Sequence, residues 1–168
     1  PNENYARELL ELYTVGKGPQ LAAGDYSTFT EQDVSAGAKI FTGYVVQGVR
    51  SSTQSQVTSQ FMPVLHDTTT KTLSYHFSNQ AISANGALEF ADYIDIVFNQ
   101  PETASYICRK LYRYFVNCDI TTWVEQNIIA DMAQTFVTNN FEITPVLVAL
   151  LTSEHFYDIN MRGAVIRT

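Results

Sequence analysis

Charge is scarce in this chain of 168 residues, and positive charge is the scarcer kind. Asp, Glu, Lys and Arg together make up 16%, with 10 Lys+Arg against 17 Asp+Glu and a formal net charge of −7. Binding nucleic acid or an anionic membrane surface needs a basic footprint, which this composition does not supply. Cysteine is nearly missing: Cys108 and Cys118 are the only two, which excludes a disulfide-dense scaffold. They lack the Cys-x-x-Cys spacing of zinc and thiol-redox sites, and on one helix they would stand about 15 Å apart, too far to bond. No apolar run approaches the roughly 18 residues of a membrane span, so membrane insertion is excluded by this measure. There is no Gly-rich phosphate loop, no Gly-x-Ser-x-Gly elbow and no His-Glu-x-x-His helix. The common nucleotide-enzyme and hydrolase signatures are therefore lacking.

What is present is the material of a core: 45% apolar residues, with ten Tyr and ten Phe. The spacing predicts a mainly α chain, a helical bundle-like domain with a small antiparallel β-hairpin insertion. A single domain over 1–168 is expected, with N-terminal helices over 1–43, a polar loop and hairpin over 44–86, and C-terminal helices over 87–168. The first helix should run from a cap at Asn2 or Asn4 to Gly16, with Ala6, Leu9, Leu10 and Tyr13 on its apolar stripe. Residues 17–29 read as a loop. Thr30 and Asp33 form a capping box for a helix to about Phe41. Leu73, Tyr75 and Phe77 alternate with polar residues, and Val57, Ser59 and Phe61 alternate more weakly. These two runs are expected to pair, with the turn at 66–70. Leu88, Ala91, Ile94, Val97 and Phe98 line the next helix. Pro101 opens another that buries Ala104, Ile107, Cys108, Leu111 and Phe115. Thr122 and Glu125 suggest a second capping box, before a helix carrying Val124, Ile128, Met132 and Phe136. Thr144 and Ser153 are caps for the last two helices.

Two groups of residues could carry chemistry. Glu8 and Glu11 share a face of the first helix, and two carboxylates three apart can hold a hard divalent cation or split into an acid and a base. The plainer reading is a polar face on which Arg7 pairs with Glu3 and Glu11. His66, Asp67 and Lys71 gather at the expected hairpin tip, where Asp67 could orient His66 for proton transfer. The plainer reading there is a turn, with Asp67 bonding backbone and Lys71 guarding a strand end. His76 and His155 each lack partners at metal spacing and read as structural. Arg109, Lys110 and Arg113 make a local basic patch, either a solvated face or a seat for a carboxylate or sulfate.

Several segments together resemble the bacterial domain-of-unknown-function 1800 family. Pro-Asn-Glu-Asn-Tyr-Ala-Arg-Glu-Leu-Leu-Glu-Leu-Tyr-Thr-Val-Gly (1–16) is similar to its opening motif. Phe29-Thr30-Glu31-Gln32-Asp33-Val34 with Phe41-Thr42-Gly43-Tyr44 is similar to the next, and His66-Asp67 followed by Lys71-Thr72 to its His-Asp…Lys element. Residues 94–116, with Pro101 and Arg109-Lys110-Leu111…Phe115-Val116, look like its C-terminal helices. The family usually carries Trp where Tyr44 stands, and a glycine where Ser74 and Tyr75 stand. The resemblance implies the C-terminal portion of a longer protein with an extracytoplasmic location, periplasmic or secreted. It implies no established activity.

Two functions follow as expectations. One is an interaction or structural module docking on a partner protein or surface polymer, with the protein's own N-terminal part as a candidate partner and self-association of the bare fragment as a consequence. The other is a hydrolase-like or carbohydrate-modifying enzyme with Glu8, Glu11, His66, Asp67 and Lys71 in its site, completed by the missing N-terminal part and served by a divalent metal. Convergence of the first helix and the hairpin tip, with His66 or Lys71 reaching Glu8 or Glu11, is the geometry the second reading needs.

Overall fold

The computed structural model describes residues 3–49 and 56–161. The Asn2 cap, the polar residues 50–55 and the tail from 162 lie outside the described residues. The architecture is mainly α, with small antiparallel two-stranded sheets. The chain forms two compact units, Pro1–Asn99 and Gln100–Thr168.

The first unit opens with α1 (Glu3–Glu8), which continues as one π-helical turn, Leu9–Tyr13. Gly16 ends it at φ +72, a conformation that suits glycine, with its amide on the Leu10 carbonyl at 2.9 Å. The wider turn shifts the buried face, so Ala6 and Leu10 are fully buried while Tyr13, expected on the stripe, is 64% exposed. The segment expected to be a loop holds a small hairpin, β1 (Gln20–Ala22) with β2 (Asp25–Tyr26). The expected Thr30/Asp33 capping box is formed and opens α2 (Glu31–Ile40), which buries Val34, Ala36, Ala38 and Ile40.

The middle of the chain departs from the expected hairpin. β3 (Tyr44–Gln47) pairs with β4 (Thr58–Phe61), in the register Tyr44 to Phe61 and Gln47 to Thr58. β5 (Lys71–Thr72) pairs with β6 (Ala81–Ile82) instead of with β4. Tyr75–Phe77 is a 3-10 turn capped by Ser74. The alternation that suggested a strand has another cause. Leu73 and Phe77, four apart, enter the core from either end of a tight turn, while Tyr75 between them is exposed.

α3 (Glu89–Phe98) follows a 3-10 turn at Gly86–Leu88 and buries Glu89, Tyr93 and Val97, at helical spacing. The stripe expected to start at Leu88 is displaced by one residue. Leu88 faces solvent, and a carboxylate takes its place in the core. At Gly37 a β-carbon would lie 2.9 Å from the Tyr93 hydroxyl and 3.2 Å from the Ala6 methyl. A glycine is what lets α1, α2 and α3 approach there.

The second unit consists of α4 (Pro101–Phe115), α5 (Thr122–Val124), α6 (Ala130–Thr138), α7 (Ile143–Leu151) and α8 (Glu154–Tyr157), with a π turn at Glu125–Ile129 joining α5 to α6. Its core holds Ala104, Cys108, Tyr112, Val124, Ile129, Met132, Phe136, Val146 and Leu150. The π turn again moves the stripe, and Ile129 is buried more fully than the expected Ile128. Thr121, not Thr122, caps α5. With the cap at Thr121 the third helical position is Val124, so Glu125 joins no capping box, and its carboxylate pairs with Arg109 instead. α7 begins at Ile143, ahead of the expected Thr144 cap, and Ser153 caps α8 as expected. Cys108 and Cys118 are both free. Burial pushes the Cys108 thiol up to about 12, which makes it inert at neutral pH.

Candidate functional site

The His-Asp…Lys segment does form a cluster, around a carboxylate that was not among the expected site residues. Glu89, the first residue of α3, is fully buried. Its Oε1 accepts from the Asn85 amide at 2.9 Å and the Gly86 amide at 3.1 Å, and lies 2.9 Å from His66 Nε2. Its Oε2 accepts from Lys71 Nζ at 2.6 Å. Burial alone would raise this carboxyl, but the bonds from Lys71, His66 and the Asn85 amide outweigh it and hold Glu89 below the usual glutamate range. The start of a helix favours the negative charge in the same sense.

His66 is fixed from its other side by the chain leaving α2. Its Nδ1 lies 2.9 Å from the Thr42 carbonyl and 3.3 Å from Thr42 Oγ1. Thr42 Oγ1 in turn accepts from the Asp67 amide at 2.8 Å and donates to the Lys39 carbonyl at 2.6 Å. Each ring nitrogen of His66 faces an acceptor, and only 3% of the side chain is exposed. Lys71 is more enclosed still, with a side chain that is 0% exposed and an ammonium shared between Glu89 and the Asp67 carbonyl. Gly43, at φ +86, makes the approach possible. A β-carbon there would stand 2.9 Å from the Phe61 ring and 3.0 Å from the His66 β-carbon.

Asp67 does not orient His66. Its carboxylate accepts from the Thr69 hydroxyl and amide, and these bonds hold it below the usual aspartate range. That is the side-chain-to-backbone turn the plainer reading expected. Its carboxylate also lies 3.7 Å from Lys71 Nζ. The two helix carboxylates are engaged elsewhere. Glu11 pairs with Lys17 at 3.0 Å, and the Glu8 carboxylate makes no ion pair with His66 or Lys71 among the described residues. Arg7 forks onto Glu31 with two 2.6 Å bonds, and among the described residues it makes no ion pair with Glu3 or Glu11, although the Glu11 charge still acts on it.

A second buried carboxylate works beside this cluster. Asp33 completes its own helix cap and also accepts from the Ser74 amide at 2.7 Å and the Ser74 hydroxyl at 2.6 Å. The Ser74 hydroxyl is thus engaged by the Asp33 carboxylate. Nearer the surface, His76 Nε2 lies 3.1 Å from Asp25, which also accepts from the Tyr75 hydroxyl at 3.0 Å. Beside the main cluster is a cavity of about 180 Å³ lined in part by Gln32, Lys39, Lys71 and Thr72. The Lys71 ammonium does not open into it, since that side chain has no exposed surface.

Glu89, Thr42 and Ser74 were not legible as partners. The available signal was slight: a lone Glu inside Leu88-Glu89-Phe90, four before Tyr93 and eight before Val97, sits on an apolar stripe if the helix is started one residue later. Among the described residues no group of three or more His, Cys, Asp or Glu side chains could hold a metal ion. No helix among them is long and apolar enough to cross a membrane.

The family model described as protein of unknown function, DUF1800, matches residues 1–168, and the chain belongs to that family. No curated protein and no solved structure matches.

Proposed function

For a member of this family, we propose a non-catalytic role: an interaction module, working outside the cytoplasm, whose first unit docks on a partner protein. What supports it is how the motif side chains are used. His66, Lys71 and Glu89 spend their polar atoms on one another and on backbone, away from solvent. General acid–base work needs an atom within reach of a substrate proton, and this arrangement offers none.

Outward from the cluster the chemistry changes. The Phe61 ring packs on His66 at 5.2 Å, Tyr44 on Phe61 at 5.1 Å, and Phe90 on Tyr44 at 6.2 Å. Met62, Val64, Leu65 and Leu88 are exposed on the same segments, Val64 by 83%. A buried ionic lock beneath exposed aromatic and aliphatic side chains is suited to hold an apolar docking face in shape. The extracytoplasmic setting comes from the family resemblance.

The test uses the full chain. Lys71→Met and Glu89→Gln should lower the melting temperature, and the parent should turn over no ester, glycoside, phosphate or peptide substrate, with or without divalent metal. A photo-crosslinker at Val64 or Leu88 should trap a protein in the native host. Turnover abolished by Lys71→Met with melting unchanged would replace this reading with the enzymatic one. Crosslinking to polysaccharide alone would move the partner to a surface polymer.

A further inference from the structure

The second unit holds a pocket that nothing above uses. It has a volume of about 480 Å³ and lies where the end of α4, the start of α5 and the segment after α8 meet. That volume falls within the roughly 300–1,000 Å³ of small-ligand sites. We propose that this pocket binds a saccharide, with a pyranose ring stacked on Trp123 and its hydroxyls donating to Asp119 and Asp158.

Trp123 is the only tryptophan of the chain, and it is 57% exposed at the pocket wall instead of packed in the core. An indole face left in water is matched by the C–H face of a pyranose whose hydroxyls are equatorial: apolar area is covered while the polar rim stays free to bond. Behind it the pocket is held rigid. The buried Tyr112 hydroxyl lies 2.9 Å from His155 Nε2, and the imidazole packs 5.9 Å from the indole.

The polar atoms of the wall select the ligand. The Asn160 amide and Nδ2 both donate to Asp158 Oδ1, at 2.8 and 2.9 Å, and the Asp119 amide donates to Asn117 Oδ1 at 3.0 Å. These bonds hold the Asp158 carboxylate and the Asp119 backbone in place and leave acceptors: the second oxygen of Asp158 and the side chain of Asp119. A ligand must bring donors, and a polyol brings several close together. Among the described lining residues none is Lys or Arg, which disfavours a phosphate or carboxylate ligand. A quaternary ammonium would want ring faces on several sides. Trp123 offers one, and Tyr112 is fully buried.

This concerns the other unit and stands or falls apart from the docking reading. The test follows the emission of Trp123, the only tryptophan, excited at the red edge where the ten tyrosines do not absorb, while the full chain is titrated with cellotetraose and with chitotetraose. A saturable change with at least one of them is expected. Calorimetry should then show binding weakened about ten-fold or more by Asp119→Ala, whose side chain is exposed, and lost with Trp123→Ala. No saturable response to either sugar at millimolar concentration would overturn the proposal. So would binding that survives Trp123→Ala, or a response to choline in place of the sugars.

Discussion

In the Pro1–Asn99 unit the fully buried side chains include Asp33, Lys71 and Glu89, whereas in Gln100–Thr168 no charged residue is fully buried among those described. The first unit is assembled from short pieces: strands of two to four residues, single 3-10 turns and three modest helices. Such pieces cannot bury enough apolar surface on their own, and side-chain bonds across long sequence separations tie them together. Ser74 reaches Asp33 across 41 residues, and Gln32 reaches the Thr72 carbonyl across 40. The second unit has a 15-residue helix at its base and packs by apolar stripes. Its largest ionic group, Arg109 with Glu102 and Glu125, stays near the surface. Directional bonds fix one geometry for irregular segments, while helices with continuous stripes need only complementary volume.

The sharpest way to break this contrast is to open the buried pair. Lys71→Met leaves the Glu89 charge in the core with one partner fewer, and about 3–5 kcal/mol should be lost. Urea unfolding measures the loss, and hydrogen exchange of the α2 and α3 amides should locate it in the first unit. Adding Glu89→Leu should recover much of it, since replacing a whole buried pair by apolar groups is often near neutral. A loss below about 1 kcal/mol for Lys71→Met would mean that the cluster ties nothing together.

The matching cut in the second unit is Leu150→Ala, at a buried site where α7 packs on α6. A loss of about 2–5 kcal/mol is expected, with exchange rising in α6 and α7 and little dependence on salt. Strong salt dependence there would contradict an apolar core.

Acid should separate the two units. Glu89 lies below its unfolded value in the native state, so its contribution is fully present above about pH 4.3 and is lost as pH falls through the lower folded value. Protection of the α2 and α3 amides, corrected for the intrinsic exchange rate at each pH, should therefore fall below about pH 4.3 before that of α6 and α7. Loss of protection in the reverse order would place the acid-sensitive contacts elsewhere.

The parts legible in the sequence were those with local causes. The Thr30/Asp33 box, the Gly16 stop, the Pro101 start and the Ser153 cap each depend on neighbours within a few residues, and each is formed. Stripes failed by one residue wherever a π turn intervened, at Leu9–Tyr13 and Glu125–Ile129, because the wider turn is set by packing and leaves no mark in the periodicity. The strand pairing failed for a different reason. Val57–Phe61 and Leu73–Phe77 both alternate, but alternation names no partner: Thr58–Phe61 pairs with Tyr44–Gln47, while Tyr75–Phe77 is a 3-10 turn and it is Lys71–Thr72 before it that pairs with Ala81–Ile82. Of the candidate site, His66, Asp67 and Lys71 come together, while Glu11 pairs with Lys17 and neither Glu8 nor Glu11 pairs with His66 or Lys71 among the described residues. The carboxylate that organises the cluster is Glu89, whose burial depends on four donors from other segments and from the turn before it.

A smaller effect is expected at the surface of the second unit. Arg109 forks onto Glu125 at 2.9 and 2.6 Å and reaches Glu102 at 2.5 Å, but all three side chains retain solvent. Arg109→Met should cost no more than about 1 kcal/mol, and the cost should shrink as salt is raised. A cost comparable to Lys71→Met would erase the distinction between the two units.

The smallest effect concerns an imperfect place in the first core. The Tyr93 hydroxyl is buried and has no hydrogen-bond partner among the described residues. Burial, and after it the charge of Asp33, push its ionisation well above the usual tyrosine range, so it stays neutral and gains nothing from its polarity. Tyr93→Phe removes an unsatisfied group, which favours the variant, and opens a small void, which opposes it. The sum should lie within about 1 kcal/mol of zero, on the stabilising side. Gly37 turns this into a decisive pair. Gly37→Ala alone would press a methyl to 2.9 Å from that hydroxyl and should cost about 1–3 kcal/mol. In the Tyr93→Phe background the methyl would enter the space the hydroxyl left, and most of that cost should disappear. Chemical denaturation of the two single variants and the double variant measures the coupling. Additive costs would show that the clash lies with the Ala6 methyl or the Tyr93 ring carbon that bears the hydroxyl, both at 3.2 Å, and that the hydroxyl is not what keeps residue 37 a glycine.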